Sequence, residues 1–152
     1  MSRENYRAFV EDFCEDLGLD DVEDVLHRGI LAVDDTVVGI EYLDGRNEVR
    51  LLMDLGEIEP REQSRLTTVL LEANLGNTSL YLPTFSMDAE THHPIIACHV
   101  PLQALIDEEV DLVSLLEERM VPMYSEWKSL VAQALHNHEQ DADLSPHFDH
   151  LA

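Results

Sequence analysis

The chain has 152 residues, 45% of them hydrophobic, and its 32 Asp and Glu against nine Lys and Arg leave a formal net charge of −23 at pH 7. That length suits one compact domain with a core of its own and is too short for two of ordinary size. The negative charge repels phosphate backbones and anionic headgroups, so neither nucleic acid nor a membrane surface is an expected partner.

From Ser2, the apolar residues Tyr6, Phe9, Val10, Phe13 and Leu17 recur at three- and four-residue steps, with Glu11, Asp12, Glu15 and Asp16 on the other face. This is the pattern of an amphipathic helix ended by Gly18. An acidic connection from Asp20 to Asp24 is expected next. The period then changes to two. The runs Ile30–Val33, Thr36–Leu43 and Asn47–Leu55, separated by Asp34-Asp35 and by the tight-turn pair Asp44-Gly45, predict a three-stranded antiparallel meander. In the third strand Val49, Leu51, Met53 and Leu55 point one way and Glu48, Arg50 and Asp54 the other. One face is expected on a core and the other in water, with Leu52 as an apolar residue on the wet face.

Pro60 suits the first turn of a second helix, whose stripe is Leu66, Val69, Leu70 and Ala73 and which stops around Asn74 to Gly76. Two strands, Leu80–Met87 and Ile95–Val100, follow across a polar loop, and Pro83 places the first of them at an edge or at a bulge. Helical sequence opens at Pro101-Leu102. Asp107 to Glu109 make a favourable acidic first turn for a helix carrying Val110, Val113, Leu116 and Met120. Pro122 is expected to kink or break it before the stripe resumes at Met123, Trp127, Leu130, Val131 and Ala134. The fold class is α+β: helix, three-stranded meander, helix, two strands and C-terminal helices. Residues 1–135 form the domain and 136–152 an acidic, His-containing flexible tail.

Nothing in this order carries an enzymatic signature: there is no nucleophile elbow, phosphate loop, dinucleotide fingerprint or HExxH. No catalytic residue, cofactor or metal is expected. Cys14 and Cys98 lack the spacing of a disulfide framework or zinc site and read as reduced, buried thiols. His136, His138, His147 and His150 sit in the tail without thiolate partners, His92 and His93 belong to a loop, and His99 belongs to a strand. The N-terminus enters Arg3, Glu4 and Arg7 without an apolar core, and no run of eighteen apolar residues occurs, so a soluble, cytoplasmic protein without membrane insertion is expected.

The element order, the run Leu70-Leu71-Glu72-Ala73-Asn74-Leu75 closing the second helix, the strand Tyr81 to Met87 followed by Asp88, and His99-Val100-Pro101-Leu102 resemble the class I type III secretion chaperones, the Tir chaperone family. The resemblance runs from about Tyr6 to Leu135. It implies a bacterial cytoplasmic homodimer that binds the N-terminal segment of secreted effector proteins and keeps it extended for export. The secretion-apparatus ATPase is a further implied partner. Carried onto this sequence, it makes Tyr6, Phe9, Phe13, Val38, Ile40 and Leu52 client-binding candidates and Val69, Leu70, Ala73, Leu80 and Leu82 dimer-interface candidates. The alternative is a regulatory or adaptor domain of similar fold that binds a folded partner or a component of the secretion machinery.

One further feature stands apart from the resemblance. Between Leu66 and Ile106 there is no Lys or Arg, and the only carboxylates are Glu72, Asp88 and Glu90. In so acidic a chain, such a stretch is expected to face a core or another subunit.

Overall fold

Strand alternation sorts the apolar residues onto one sheet face, and helices close over that face. The computed structural model describes residues 2–76, 81 and 83–131. Its elements are α1 (Ser2–Leu17), α2 (Val22–Arg28), β1 (Ile30–Val33), β2 (Thr36–Leu43), β3 (Glu48–Asp54), α3 (Gln63–Leu75), β4 (Thr84–Met87), β5 (Pro94–Pro101), α4 (Leu102–Ile106) and α5 (Leu112–Leu115). A π-helical turn, Leu116–Met120, follows α5, and helical backbone continues over 121–131. The strands form one antiparallel sheet in the order β1-β2-β3-β5-β4. The α+β class and the meander are therefore as expected, while the tail 136–152 lies outside the described residues.

Register lines up Ile40, Leu51 and Cys98 on the inner face, with Tyr42, Val49 and Val100 on one side of that row and Met53, Ile96 and Phe85 on the other. Val38, Ile40, Val49, Leu51, Met53, Ile96, Cys98 and Val100 are each no more than 2% exposed. Val10, Phe13 and Cys14 of α1, Leu102 of α4, and Leu116 and Met120 of the π turn belong to the same core. Burial at about 25 cal/mol per Å² makes this dry face the main stabilising contribution.

Several local expectations are corrected. The acidic stretch taken for a connection contains α2. Asp21 caps it by accepting a hydrogen bond from the Asp24 N–H at 3.0 Å. Glu23 and Asp24 occupy its first turn and His27 and Arg28 its last, which complements the helix dipole at both ends. Gly29 ends it with φ +66°, donating to the Val25 carbonyl. A Cβ there would stand 2.9 Å from the Ile40 carbonyl oxygen, so only glycine fits this corner.

Pro60 does not start α3. It lies in a turn closed by Glu62 N–H to Glu59 O at 2.9 Å, ahead of the helix. Asp107 to Glu109 are not a first helical turn either. Their N–H groups bond back to α4, at the Gln103, Leu105 and Ala104 carbonyls, and the next helix waits for Asp111, whose carboxylate caps Val113 and Ser114. Pro122 does not end the helix. In the π turn before it the Val121 N–H reaches the Leu116 carbonyl, and the wider turn takes up a residue that has no N–H of its own.

The strand expected over 80–87 is shorter, β4 beginning at Thr84, because Tyr81 has φ +61° and Pro83 cannot donate. β4 is an edge strand, yet part of its free edge is occupied. Asn74 of α3 donates to the Phe85 carbonyl at 2.9 Å and accepts from the Phe85 N–H at 2.8 Å, as a neighbouring strand would. Asn74→Ala should lower unfolding free energy by about 1–3 kcal/mol, since both Phe85 backbone groups lose their partner. Asn74→Asp, which accepts but cannot donate, should fall between the two in urea denaturation.

Burial pushes the Cys98 thiol from its ordinary 9.0 up to about 12. Burial, with a smaller repulsion from Cys14, pushes the Tyr6 phenol from 10.0 to about 12. Both groups stay protonated in the folded chain while the unfolded chain ionises. Their stabilisation is complete below pH 9 and is lost as pH rises towards 12. Urea midpoints should therefore fall between pH 9 and 11, and Cys98→Ala should show a shallower fall than the parent chain.

Candidate interaction surfaces

The sheet's outer face begins from the same alternation that builds the core. Ile30, Gly39, Leu52, Ala97 and Thr84 form one cross-strand row over all five strands. Ala32 and Val37 pair in the next row, as do Ile95 with Asp54 and with Ser86. Val37 is 63% exposed and Ile30 44%, whereas Leu52 is half-buried between the small residues Gly39 and Ala97. The other end of this face is polar. Arg50 pairs with Glu41, and His99 Nδ1 lies 3.6 Å from Glu48 Oε2. The outer face is thus half apolar band and half charged platform.

The β1 side of the sheet offers a backbone edge. β1 pairs with β2 only from Thr36 to Gly39, and the Ile40 N–H is taken by the Gly29 carbonyl at 2.8 Å. Beyond that point a hollow of about 350 Å³ opens beside Gly39, Ile40, Glu41 and Tyr42, with Arg3, Tyr6 and Arg28 around it. Tyr6 stacks on Tyr42 at 5.1 Å, and Arg3 lies over the Tyr42 ring while pairing with Asp44 at 2.9 Å.

A third surface lies on α3. Leu66 and Leu70 face inward, and Val69, Leu71 and Leu75 are 40%, 63% and 85% exposed. Four of the seven exposed large hydrophobics among the described residues, these three and Ile106, fall in the stretch from Leu66 to Ile106, which has no Lys or Arg and only three carboxylates. That stretch thus supplies both core and uncovered apolar surface. An apolar groove of about 200 Å³ between α3 and the final helix, lined by Ile58, Leu66, Val69, Trp127, Leu130 and Val131, adjoins it.

The fourth surface is a groove of about 690 Å³ between α1 and the segment from Leu105 to Val113. Phe9, Phe13, Leu105, Val110 and Leu112 line it with Asp12, Asp16, Glu108 and Asp111.

The client-binding candidates therefore separate. Tyr6, Phe9 and Leu52 are half-buried and reach surface hollows, whereas Phe13, Val38 and Ile40 are core, at 2%, 0% and 2% exposure. Their helix and strand periods turn them inward, so Val38 is enclosed and Phe13 and Ile40 contribute only a margin to the walls of the two hollows. Among the dimer candidates, Val69 is exposed, Ala73 half-buried and Leu70 core at 4%, and Leu80 and Leu82 lie outside the described residues. Sequence reading overlooked Ile30, Val37, Leu71 and Leu75. Period-two alternation in β1, with Leu31 and Val33 inward, could have flagged Ile30. On α3, apolar residues wider than one stripe could have flagged Leu71.

No group of three or more His, Cys, Asp or Glu among the described residues is placed to hold a metal ion. No helix among them is long and apolar enough to cross a membrane.

No curated protein matches the chain significantly. Solved structures share its fold. A chain of the HopA1–SchA chaperone–effector complex is 16% identical, with 82% of this chain and 94% of that one covered at a TM-score of 0.54. A chain of the ExsC–ExsE complex is 15% identical, with 84% and 94% covered at 0.50. The profile of the Tir chaperone protein (CesT) family matches residues 8–120, most of the described domain, and the chain belongs to that family.

Proposed function

We propose that this chain is a cytoplasmic type III secretion chaperone that binds the N-terminal segment of secreted effectors, works by binding alone, and acts as a homodimer. Family membership carries the reading, and the two solved chains described above come from the HopA1–SchA chaperone–effector complex and the ExsC–ExsE complex.

The surfaces suggest a division of labour. An unfolded client needs main-chain partners and shallow apolar seats, and the β1 edge beside the row Ile30, Gly39, Leu52 and Ala97 provides both. Ordering a flexible segment opposes binding by about 2–5 kcal/mol or more, so a large wrapped area is required. A second subunit doubles it. Val69, Leu71 and Leu75, exposed with Glu72 as the one carboxylate among them, are the patch a twin copy would cover. The net charge of −23 keeps such a complex soluble and favours basic clients or a basic docking site on the export machinery, its ATPase included.

Val69→Asp combined with Leu71→Asp should yield folded monomers by multi-angle light scattering, because both side chains are exposed. Leu70→Asp should unfold the chain by circular dichroism, because its side chain lies in the core. A chain that is already monomeric at micromolar concentration would remove the dimer. Leu52→Asp should stay folded and capture secreted protein from its host at about tenfold lower yield or less. Undiminished capture would place the client elsewhere.

A further inference from the structure

We propose that the hollow where β1 stops is a carboxylate-selecting subsite: the client residue that pairs with Tyr42 is Asp or Glu, and Arg3 and Arg28 hold its side chain. The inference deepens the strand-edge reading and rests on it for the source of the segment, while the hollow's own chemistry supplies the preferred residue.

The register follows from strand alternation. In an antiparallel strand the N–H and C=O of one residue point to the same side, and that side reverses with each residue. Ile40 donates to the Gly29 carbonyl on the β1 side at 2.8 Å. Tyr42, two residues on, therefore directs its N–H and C=O to the same side, past the end of β1, whose pairing with β2 stops at Gly39. Among the described residues no backbone partner meets them there. One residue of an added strand can exchange both main-chain bonds with Tyr42. Directly paired residues share a sheet face, so its side chain falls on the inner side, where the Tyr42 ring stacks on Tyr6 at 5.1 Å and Arg3 lies 6.0 Å from the ring centre. The hollow of about 350 Å³ has room for it.

The charge follows from the lining. Arg3 and Arg28 stand there against Glu41 as the one carboxylate, and Glu41 is already paired with Arg50. In the other hollows acids match or outnumber bases. The α1 groove has no Lys or Arg, the α3 groove has Glu62 with Arg65, and a hollow beside Pro122 has Glu118 and Glu126 with Arg119. Both arginines at the β1 end keep donors in hand. Arg3 directs Nε and Nη2 to one oxygen of Asp44, and Arg28 reaches Asp24 only at 3.6 Å, beyond hydrogen-bond length. A guanidinium carries five N–H donors, so a client carboxylate can be taken up without breaking either pair. In a chain of net charge −23 this is a local reversal: the complex as a whole favours basic clients, whereas this one position favours an acid.

The test uses the full chain and three labelled ten-residue peptides in fluorescence anisotropy. Each alternates Thr and Val and carries Glu, Gln or Lys at one central position. The Glu peptide should bind about fivefold tighter than the Gln peptide, the Lys peptide should bind most weakly, and the preference should shrink as salt rises. Arg3→Gln with Arg28→Gln, both at exposed side chains, should leave the circular dichroism spectrum intact, remove the preference for Glu and leave the Gln peptide unchanged. Arg61→Gln with Arg119→Gln, the same charge change away from the hollow, should keep the preference. Methylating the backbone nitrogen of the central Glu removes the bond to the Tyr42 carbonyl and should weaken binding about tenfold. Equal affinity for the Glu and Gln peptides, equal loss from the remote pair, no binding of the Glu peptide, or no effect of the methyl group would overturn the subsite.

Capture of secreted protein separates this subsite from the reading beneath it. If the parent chain captures a secreted client and the Arg3/Arg28 variant captures it equally, the subsite fails and the chaperone reading stands. If no secreted protein is captured while the Glu peptide keeps its advantage, the chaperone reading fails and the edge's preference for an acid remains. A dimer lost in the Arg3/Arg28 variant by light scattering would give the hollow to a second copy and overturn the client subsite.

Discussion

β3 lies at the centre of the sheet with a paired strand on each side, and its alternation divides the molecule. Val49, Leu51 and Met53 go under α1 and the C-terminal helical region, while Glu48, Arg50 and Leu52 go to the opposite face. A slip of one residue in register would exchange the two sets and expose the core, so the dry face holds both flanking strands in place. The interaction surfaces inherit their positions from that constraint. Leu52 is presented outward because Leu51 and Met53 are required inward.

The edges are managed unequally. On the β4 side, Asn74 reaches from α3 and satisfies both backbone groups of Phe85, so α3 acts partly as a sixth strand. On the β1 side, the short first strand leaves part of β2 without a neighbour, and Gly29 closes only the Ile40 N–H. Unpaired edges are usually blunted because they invite further strands. Here one edge is closed beside α3 and the other is left available.

The large negative charge is distributed with the same economy. Acids cap α2 and α5 through Asp21 and Asp111, pair with Arg3, Arg7, Arg28 and Arg50, and crowd the rims of the α1 groove. They are absent from the outward side of α3 except for Glu72. Electrostatics thus separates the acidic surfaces from the nearly uncharged outward side of α3.

Much of the fold was legible in the amino-acid order. Period-two runs in β1 to β3, the Asp44-Gly45 turn and the apolar stripe of α1 are local signals, set by backbone geometry and side-chain direction before any long-range packing. α2 was hidden because its cap and first turn are acids, which look like solvated linker until Asp21 is seen accepting from the Asp24 N–H. The π turn was hidden because nothing local distinguishes a proline that ends a helix from one whose preceding turn has widened. The site was only partly readable: helical spacing put Phe9 and Phe13 on one apolar stripe, but packing buries Phe13 and leaves Phe9 at a groove. Sequence by itself determined the element types, the inward set of β3 and the overall charge, since these depend on periodicity and composition. Tertiary structure alone decided which apolar residues remain uncovered and which strand edge is closed. Exposure and edge pairing depend on neighbours distant in the chain, such as Asn74 at Phe85 and Gly29 at Ile40.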